Sequence, residues 1–137
     1  MAVANGIADL AIANSYYYGY MLSGKAGDAQ RDAAKKVKMF FPNQTNRGMH
    51  INISGLGVLK SSKNVDNANK FIEFLLSNQM QSSMVNNSFE YPILKNVLPH
   101  PDIASSGVDF IEDDMLVSEF GKFNAEAIKL MDRAGWK

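Results

Sequence analysis

The sequence has no cysteine among its 137 residues. This absence excludes a disulfide framework, a thiolate zinc site, an iron–sulfur cluster and a cysteine nucleophile, and it is compatible with an oxidising compartment. The 14 basic and 14 acidic side chains cancel, so the chain has no net positive charge with which to hold a phosphate backbone. We therefore expect neither thiol chemistry nor nucleic-acid binding.

Long hydrophobic runs are also missing. The longest apolar stretches, residues 1–13 and 71–76, are too short and too interrupted to span a bilayer, and the first lacks the basic region of a secretory signal. Hydrophobic residues still make up 46% of the chain, which is enough to build a core. The sequence therefore predicts an ordered domain, or part of one, without a membrane anchor.

Four segments have helical patterns. The strongest follows a cap at Asn64 or Asp66 and places apolar residues at three- and four-residue spacing, namely Ala68, Phe71, Ile72, Leu75 and Leu76. Weaker patterns cover residues 28–36, 79–85 and 124–134. Gly135 stands where a left-handed residue would end the last of these helices.

Strand patterns lie between the helical ones. Residues 10–13 form a short apolar run, and residues 50–54 alternate with period two, which is typical of a half-buried strand. The glycines of Gly55-Leu56-Gly57 permit a tight turn or a close backbone approach. Strands mixed with helices indicate the α/β class, although few of the strands have an obvious partner within the chain.

Three consecutive tyrosines follow Ser15, which we predict to be the N-cap of a helix. In the first turn of a helix Tyr16 and Tyr17 are about 100° apart and can converge on one ligand, whereas strand neighbours point to opposite faces. The helix N-terminus and a hard trivalent cation both favour phenolate over phenol. The pair is therefore a candidate site for ferric iron.

Packing is the competing interpretation of the tyrosine run. On composition and spacing alone, buried rings with hydroxyls bonded to water or backbone are the more frequent outcome, and we assign Tyr18 and Tyr20 to that role. His50 and His100 lie too far apart in sequence to suggest a metal pair. We interpret His50 as a strand residue, His100 as an exposed loop residue, and residues 112–114 as a solvated turn or helix start.

Catalytic motifs are lacking. Gly55-Leu56-Gly57 has no third glycine at the offset of a nucleotide loop, and no serine has the context of a nucleophile elbow. Nothing in these motifs therefore argues for catalysis.

The string AIANSYYYG at residues 11–19 resembles the tyrosine-pair motif of periplasmic ferric-ion-binding proteins, the solute receptors of bacterial iron ABC transporters. Further segments follow in that family's order and approximate spacing: FPNQ at 41–44, GMHINISGLGVLK at 48–60, FIEFLLS at 71–77, EYP at 90–92 and GKFNAEAIKLMDRAGW at 121–136. The resemblance covers nearly the whole chain and is much more specific than the tyrosines alone.

The resemblance implies that the chain is the C-terminal portion of a longer two-lobed α/β protein, with mixed sheets flanked by helices and an ion held in the cleft between the lobes. Residues 1–48 would belong to the C-terminal lobe and carry the tyrosine pair. Residues 49–98 would supply a crossing strand and part of the N-terminal lobe. Residues 99–137 would return to the C-terminal lobe.

The same resemblance assigns Tyr16 and Tyr17 as phenolate ligands of Fe(III). It places Asn14 beside the site, where an amide could orient a tyrosine or a synergistic anion such as carbonate or phosphate. The remaining ligands would lie in an N-terminal half that is not in this sequence. The implied receptor is periplasmic, closes around ferric ion and delivers it to a membrane permease.

Two other hypotheses stay open at this point. The same fold could carry a different solute, such as an organic anion or a polyamine. Alternatively, a chain of this length could be a fragment that self-associates through unpaired strand edges.

Overall fold

The computed structural model describes residues 1–107 and 109–136. Within these residues a 3₁₀ turn at Val3–Asn5 is followed by six α-helices: α1 (Ser15–Leu22), α2 (Asp28–Ala34), α3 (Val65–Leu75), α4 (Asn78–Ser88), α5 (Pro101–Ala104) and α6 (Val117–Arg133). The chain divides into two compact units. The first comprises Met1–Phe41 and Asn52–Phe110 and holds α1 to α5; the second comprises Pro42–Ile51 and Ile111–Lys137 and holds α6.

The core of the first unit forms where α1 packs against α2 and α5. Phe89 and Ile103 are its fully buried large side chains, at 1% and 0% exposure. Gly19 of α1 lies directly against both: a Cβ at Gly19 would be 2.8 Å from the Phe89 Cβ and 3.0 Å from the Ile103 Cγ1. The absent side chain at Gly19 is therefore what lets α1 approach the core so closely.

Phe89 ends α4 in the left-handed conformation, with φ of 60° and its N–H donated to the Val85 carbonyl. A non-glycine residue in this region costs about 1–2 kcal/mol. Its ring compensates by burial, by an edge-on contact with His100 at 4.5 Å, and by the Lys25 Nζ at 4.8 Å above its face. The packing around the ring holds the unusual backbone in place.

A second aromatic cluster in the first unit joins Phe41, Phe110 and Tyr91. The rings of Phe41 and Phe110 are parallel with centroids 4.6 Å apart, and Tyr91 meets Phe110 edge-on at 5.4 Å. The Tyr91 hydroxyl donates to the Gly107 carbonyl at 3.0 Å. Burial raises the pKa of Tyr91 to about 12.

The second unit is organised around a short parallel pairing of Met49 with Glu112. The Met49 N–H donates to the Ile111 carbonyl, and the Met49 carbonyl accepts from the Asp113 N–H, each at 2.8 Å. The Gln44 amide extends this pairing, because it both donates to the Ile111 carbonyl at 2.9 Å and accepts its N–H at 2.6 Å. A side-chain amide thus takes the place of a further strand residue.

The predicted helices are confirmed. Asn64 is the N-cap residue of α3, although its side chain makes no capping bond, and Ser77 caps α4 by accepting from the Met80 N–H. Buried Gln81 fixes α4 by donating to the Leu75 carbonyl at 3.0 Å and accepting the Ile93 N–H at 3.0 Å.

The C-terminal helix α6 starts earlier than predicted, at Val117 rather than Asn124. Its end agrees with the prediction: Gly135 has φ of 69° and donates to the Asp132 carbonyl, while Trp136 donates to the Met131 carbonyl. This pair of bonds is the Schellman arrangement that a glycine after a helix favours.

The predicted strands at residues 10–13 and 50–54 are wrong for the described part of the chain. A strand requires a neighbour that takes its N–H and C=O groups, and neither segment forms such a ladder. Leu10 and Ile12 are 82% and 87% exposed. The Gly55-Leu56-Gly57 segment likewise forms no tight turn, and a Cβ at either glycine would meet nothing within 4 Å.

Replacement of Gly19 tests the close approach of α1. Alanine favours a helix over glycine by about 1 kcal/mol, but here its Cβ would overlap side-chain atoms that are not free to move. We expect Gly19→Ala to lower the free energy of unfolding by about 1–3 kcal/mol in urea titrations. Gly121→Ala is the matched control, since a Cβ at this exposed position of α6 has open space. An unchanged or raised stability of Gly19→Ala would contradict the packing described.

Tyr91 provides a pH test of the aromatic cluster. Its pKa is about 12 in the folded chain against an ordinary value of 10.0, so the neutral phenol stabilises the fold. This contribution is complete below pH 10 and is lost as the pH rises through about 12. We expect Tyr91→Phe to be less stable than the parent at pH 8, by about 0.5–1.5 kcal/mol, and the difference to shrink as the pH rises from 10 to 12. A constant difference over that range would rule out the linkage.

Candidate functional site

The tyrosine pair lies at the start of α1. The N-cap residue is Asn14, in extended backbone with φ of −71° and ψ of 142°, and Ser15 is already helical. The prediction of Ser15 as N-cap is therefore wrong by one residue. The Tyr17 N–H donates to the Asn14 backbone carbonyl at 3.2 Å, so the first turn closes on Asn14.

Tyr16 and Tyr17 stand side by side on this turn. Their ring centroids are 4.3 Å apart and the ring planes are inclined by 46°. Tyr16 is half-buried, whereas Tyr17 is 54% exposed. The helical backbone thus brings two phenols together at one end of α1, as the spacing argument predicts for a helix and not for a strand.

The two phenols influence each other electrostatically. Hydrogen bonding with Tyr16 first, and the charge of Tyr16 second, raise the pKa of Tyr17 above its ordinary value. The neighbouring phenol therefore favours the protonated form of Tyr17. A bound cation reverses this preference, because it stabilises phenolate oxygens directly.

The Asn14 side chain faces the pair. Its Nδ2 donates to the Tyr16 hydroxyl oxygen at 3.3 Å, and its Oδ1 accepts from the Asn52 Nδ2 at 3.3 Å. It makes no capping bond to the backbone of α1, although asparagine at an N-cap usually does so. The amide is therefore committed to Tyr16 and Asn52 instead of the helix.

Sequence reasoning missed Asn52. The period-two pattern of residues 50–54 places Asn52 and Ser54 on one face, and both side chains do form long-range bonds. The pattern could have drawn attention to that face, but it gives no indication that Asn14, 38 positions away, is the partner.

Tyr18 takes the packing role predicted for it, and Tyr20 contacts the core although it is 45% exposed. The Tyr18 hydroxyl donates to the Val37 carbonyl at 3.4 Å, and the Tyr20 ring meets Phe89 edge-on at 6.4 Å.

The remaining sequence candidates form no site. His50 is not in a strand and lies 5.1 Å from the Phe120 ring. His100 is half-buried rather than exposed, because it packs on Phe89 and its Nδ1 accepts from the Asp102 N–H at the start of α5. Residues 112–114 are neither a turn nor a helix start, since Glu112 pairs with Met49.

A conventional metal cluster is also lacking: residues 1–107 and 109–136 contain no group of three or more His, Asp or Glu side chains arranged to hold an ion. Across the same residues, no helix combines the length and the apolar character needed to cross a bilayer.

Comparison with known proteins shows the family of this chain. A family model for bacterial extracellular solute-binding proteins matches residues 3–108. The chain belongs to this family. It is similar to Iron uptake protein A1 of Synechocystis, with 44% identity over 99% of this chain and 37% of that protein.

The chain also resembles solved structures. A Trichodesmium protein in complex with iron and citrate ligands superposes with a TM-score of 0.90 and 46% identity, over 99% of this chain and 42% of that one. The ferric binding protein of Campylobacter jejuni superposes with a TM-score of 0.84 and 38% identity, over 99% of this chain and 42% of that one. This chain therefore spans about two fifths of the length of its relatives. The predicted fold class, part of the two-lobed fold of periplasmic binding proteins, is confirmed, although the described residues form helices and no sheet.

Proposed function

We propose that the chain contributes the tyrosine ligands of a ferric-ion receptor, with Tyr16 and Tyr17 binding Fe(III) as phenolates. The observation that carries the proposal is the juxtaposition of the two rings, 4.3 Å apart at the start of α1. It is supported by the similarity of nearly the whole chain to a protein solved with iron and citrate.

The chemistry of the pair suits a hard trivalent cation. Phenolate oxygens are hard, anionic donors, and the N-terminus of α1 adds partial positive charge that favours them over neutral phenols. The Asn14 side chain makes no capping bond, and the Tyr17 N–H donates to the Asn14 backbone carbonyl, so neither of these contacts brings a carboxylate or hydroxyl to this end of the helix. Iron displaces one proton from each phenol that it binds.

Two phenolates do not complete the coordination of Fe(III). Since no further cluster of His or carboxylate ligands exists in the described residues, we assign the other protein ligands to the part of the longer relatives that has no counterpart here. A synergistic anion would fill the remaining positions. Citrate accompanies iron in the Trichodesmium structure, and carbonate or phosphate would offer the same oxygen donors.

The similarity to iron-binding relatives supports a biological role. We propose residues 1–48 and 99–137 as parts of the C-terminal lobe of a complete receptor and residues 49–98 as the segment that crosses between the lobes, with part of the N-terminal lobe. The receptor would capture ferric ion in the periplasm, close its lobes around it and pass it to an ABC transporter permease. Binding and release without chemical turnover suffice for this role.

A ferric citrate titration tests the ligand assignment. We expect a visible phenolate-to-iron charge-transfer band that weakens in Tyr16→Phe and in Tyr17→Phe and disappears in the double variant. Tyr20→Phe is the matched control: it removes one hydroxyl from the same helix on a residue that packs against Phe89, and it should leave the band unchanged.

The titration is repeated in a chimera that carries these 137 residues in place of the aligned 42% of the Trichodesmium protein, which supplies the missing ligands. A folded chimera without the band, or a band of unchanged intensity in the double variant, would overturn the assignment.

Proton release provides a second test. Binding through two phenolates should release about two protons per iron below the ordinary tyrosine pKa, and apparent affinity should therefore fall as the pH falls. Tyr17→Phe should release about one proton fewer than the parent in a weakly buffered stopped-flow assay with a pH dye. Equal release by the parent and Tyr17→Phe would show that Tyr17 does not bind as phenolate.

A further inference from the structure

We propose that Asn52 is a positioning residue for the tyrosine pair, acting through the Asn14 amide. The inference deepens the proposed function and rests on it for its biological meaning. The hydrogen-bond chain that carries it runs from the Asn52 Nδ2 to the Asn14 Oδ1 and from the Asn14 Nδ2 to the Tyr16 hydroxyl oxygen, each step at 3.3 Å.

The orientation of the Asn14 amide is coupled to that of Asn52. An asparagine amide has one accepting and one donating end, and either end of Asn14 could face Tyr16 if the amide rotated by 180°. In the structure the Asn52 Nδ2 donates to the Asn14 oxygen, and the Asn14 N–H₂ group faces Tyr16. In this arrangement Tyr16 meets a donor and not an acceptor.

A donor at this position matters for a ligand. An N–H directed at the phenol oxygen fixes which oxygen lone pairs stay free to face a ligand. An amide oxygen in the same place would instead accept from the phenol O–H, and the hydroxyl would turn towards the amide. Outer partners of this kind usually change metal affinity by about 10- to 100-fold.

The backbone around Asn52 is held by a separate hydrogen bond. Two residues later, on the same face of the alternating segment, the Ser54 Oγ donates to the Glu90 Oε1 at 2.9 Å. Removal of the Ser54 hydroxyl loosens the segment without touching Asn14. Ser54→Ala is therefore the control that separates tethering of the segment from orientation of the Asn14 amide.

The decisive variants are Asn52→Ala and Asn52→Asp. Alanine removes the donor, and the Asn14 amide is then free to rotate. Aspartate is nearly isosteric but only accepts when ionised, so it attracts the Asn14 N–H₂ group and turns the Asn14 oxygen towards Tyr16. The orientation mechanism thus predicts that Asn52→Asp is the more harmful variant, whereas a packing role predicts that it is the milder one. Asn69→Asp, exposed on α3, controls for the added charge.

The first readout needs no metal. The measurement is NMR of the ¹⁵N-labelled 137-residue chain. We expect the side-chain amide resonances of Asn14 to shift in Asn52→Ala and Asn52→Asp and to stay in place in Ser54→Ala and Asn69→Asp. Nuclear Overhauser effects between the Asn14 side-chain amide protons and the Tyr16 ring protons should be lost in Asn52→Asp. Unchanged Asn14 resonances in both Asn52 variants would overturn the proposal, whatever the outcome of the iron experiments.

The second readout is iron itself, measured in the chain and in the chimera. We expect Asn52→Asp to release iron to a competing chelator at least about tenfold faster than the parent, with a shifted charge-transfer band, and Asn52→Ala to lie between them. Equal rates in the parent and both Asn52 variants, or an equal effect of Ser54→Ala, would overturn the positioning role. Absence of the band from the parent in both proteins would instead overturn the proposed function.

Discussion

The close approach of α1 to the core of the first unit governs the site. Gly19 lies against Phe89 and Ile103 with no room for a Cβ, so one side of the helix is fixed to the interior. At about 100° per residue, Tyr17 is about 200° from Gly19 and must point away from the core, while Tyr16 is about 60° from it. The exposed Tyr17 and the half-buried Tyr16 follow from that rotation. A glycine that touches no ligand thus sets the direction of both phenols.

The contact in turn depends on Phe89, a large residue in a conformation that favours glycine. Its left-handed backbone ends α4 and directs the ring beneath α1, where His100 and Lys25 hold it from other sides. A glycine at this position would relieve the backbone but leave the space beneath α1 empty. The chain tolerates a local cost of about 1–2 kcal/mol because the ring fills the core that positions the helix.

The features that could be predicted from the sequence are those that depend on residues close to one another in the chain. The helices α3 and α4 follow from the spacing of apolar residues, and the end of α6 follows from Gly135. Strands depend on partners elsewhere in the chain, which is why residues 10–13 and 50–54 were predicted wrongly from local alternation. The N-cap was misplaced at Ser15 for a similar reason, since nothing local shows that the adjacent Asn14 ends the extended backbone. The pairing of Tyr16 with Tyr17 was within reach of the sequence, whereas its link to Asn52 spans 38 residues and was not.

The two phenols are therefore unequal, although they are neighbours of the same type. Tyr16 is held by an amide donor and half-buried, while Tyr17 is exposed and has a raised pKa because of Tyr16. In the proposed receptor the two tyrosines therefore have different roles. The Tyr16 oxygen is directed before the metal arrives, since both amides that orient it belong to the folded chain. The Tyr17 side chain is exposed to solvent, and its raised pKa means that its oxygen keeps the proton until a bound cation displaces it. A cation that binds Tyr17 as phenolate must therefore compensate for the loss of its proton, which the raised pKa of Tyr17 makes more costly.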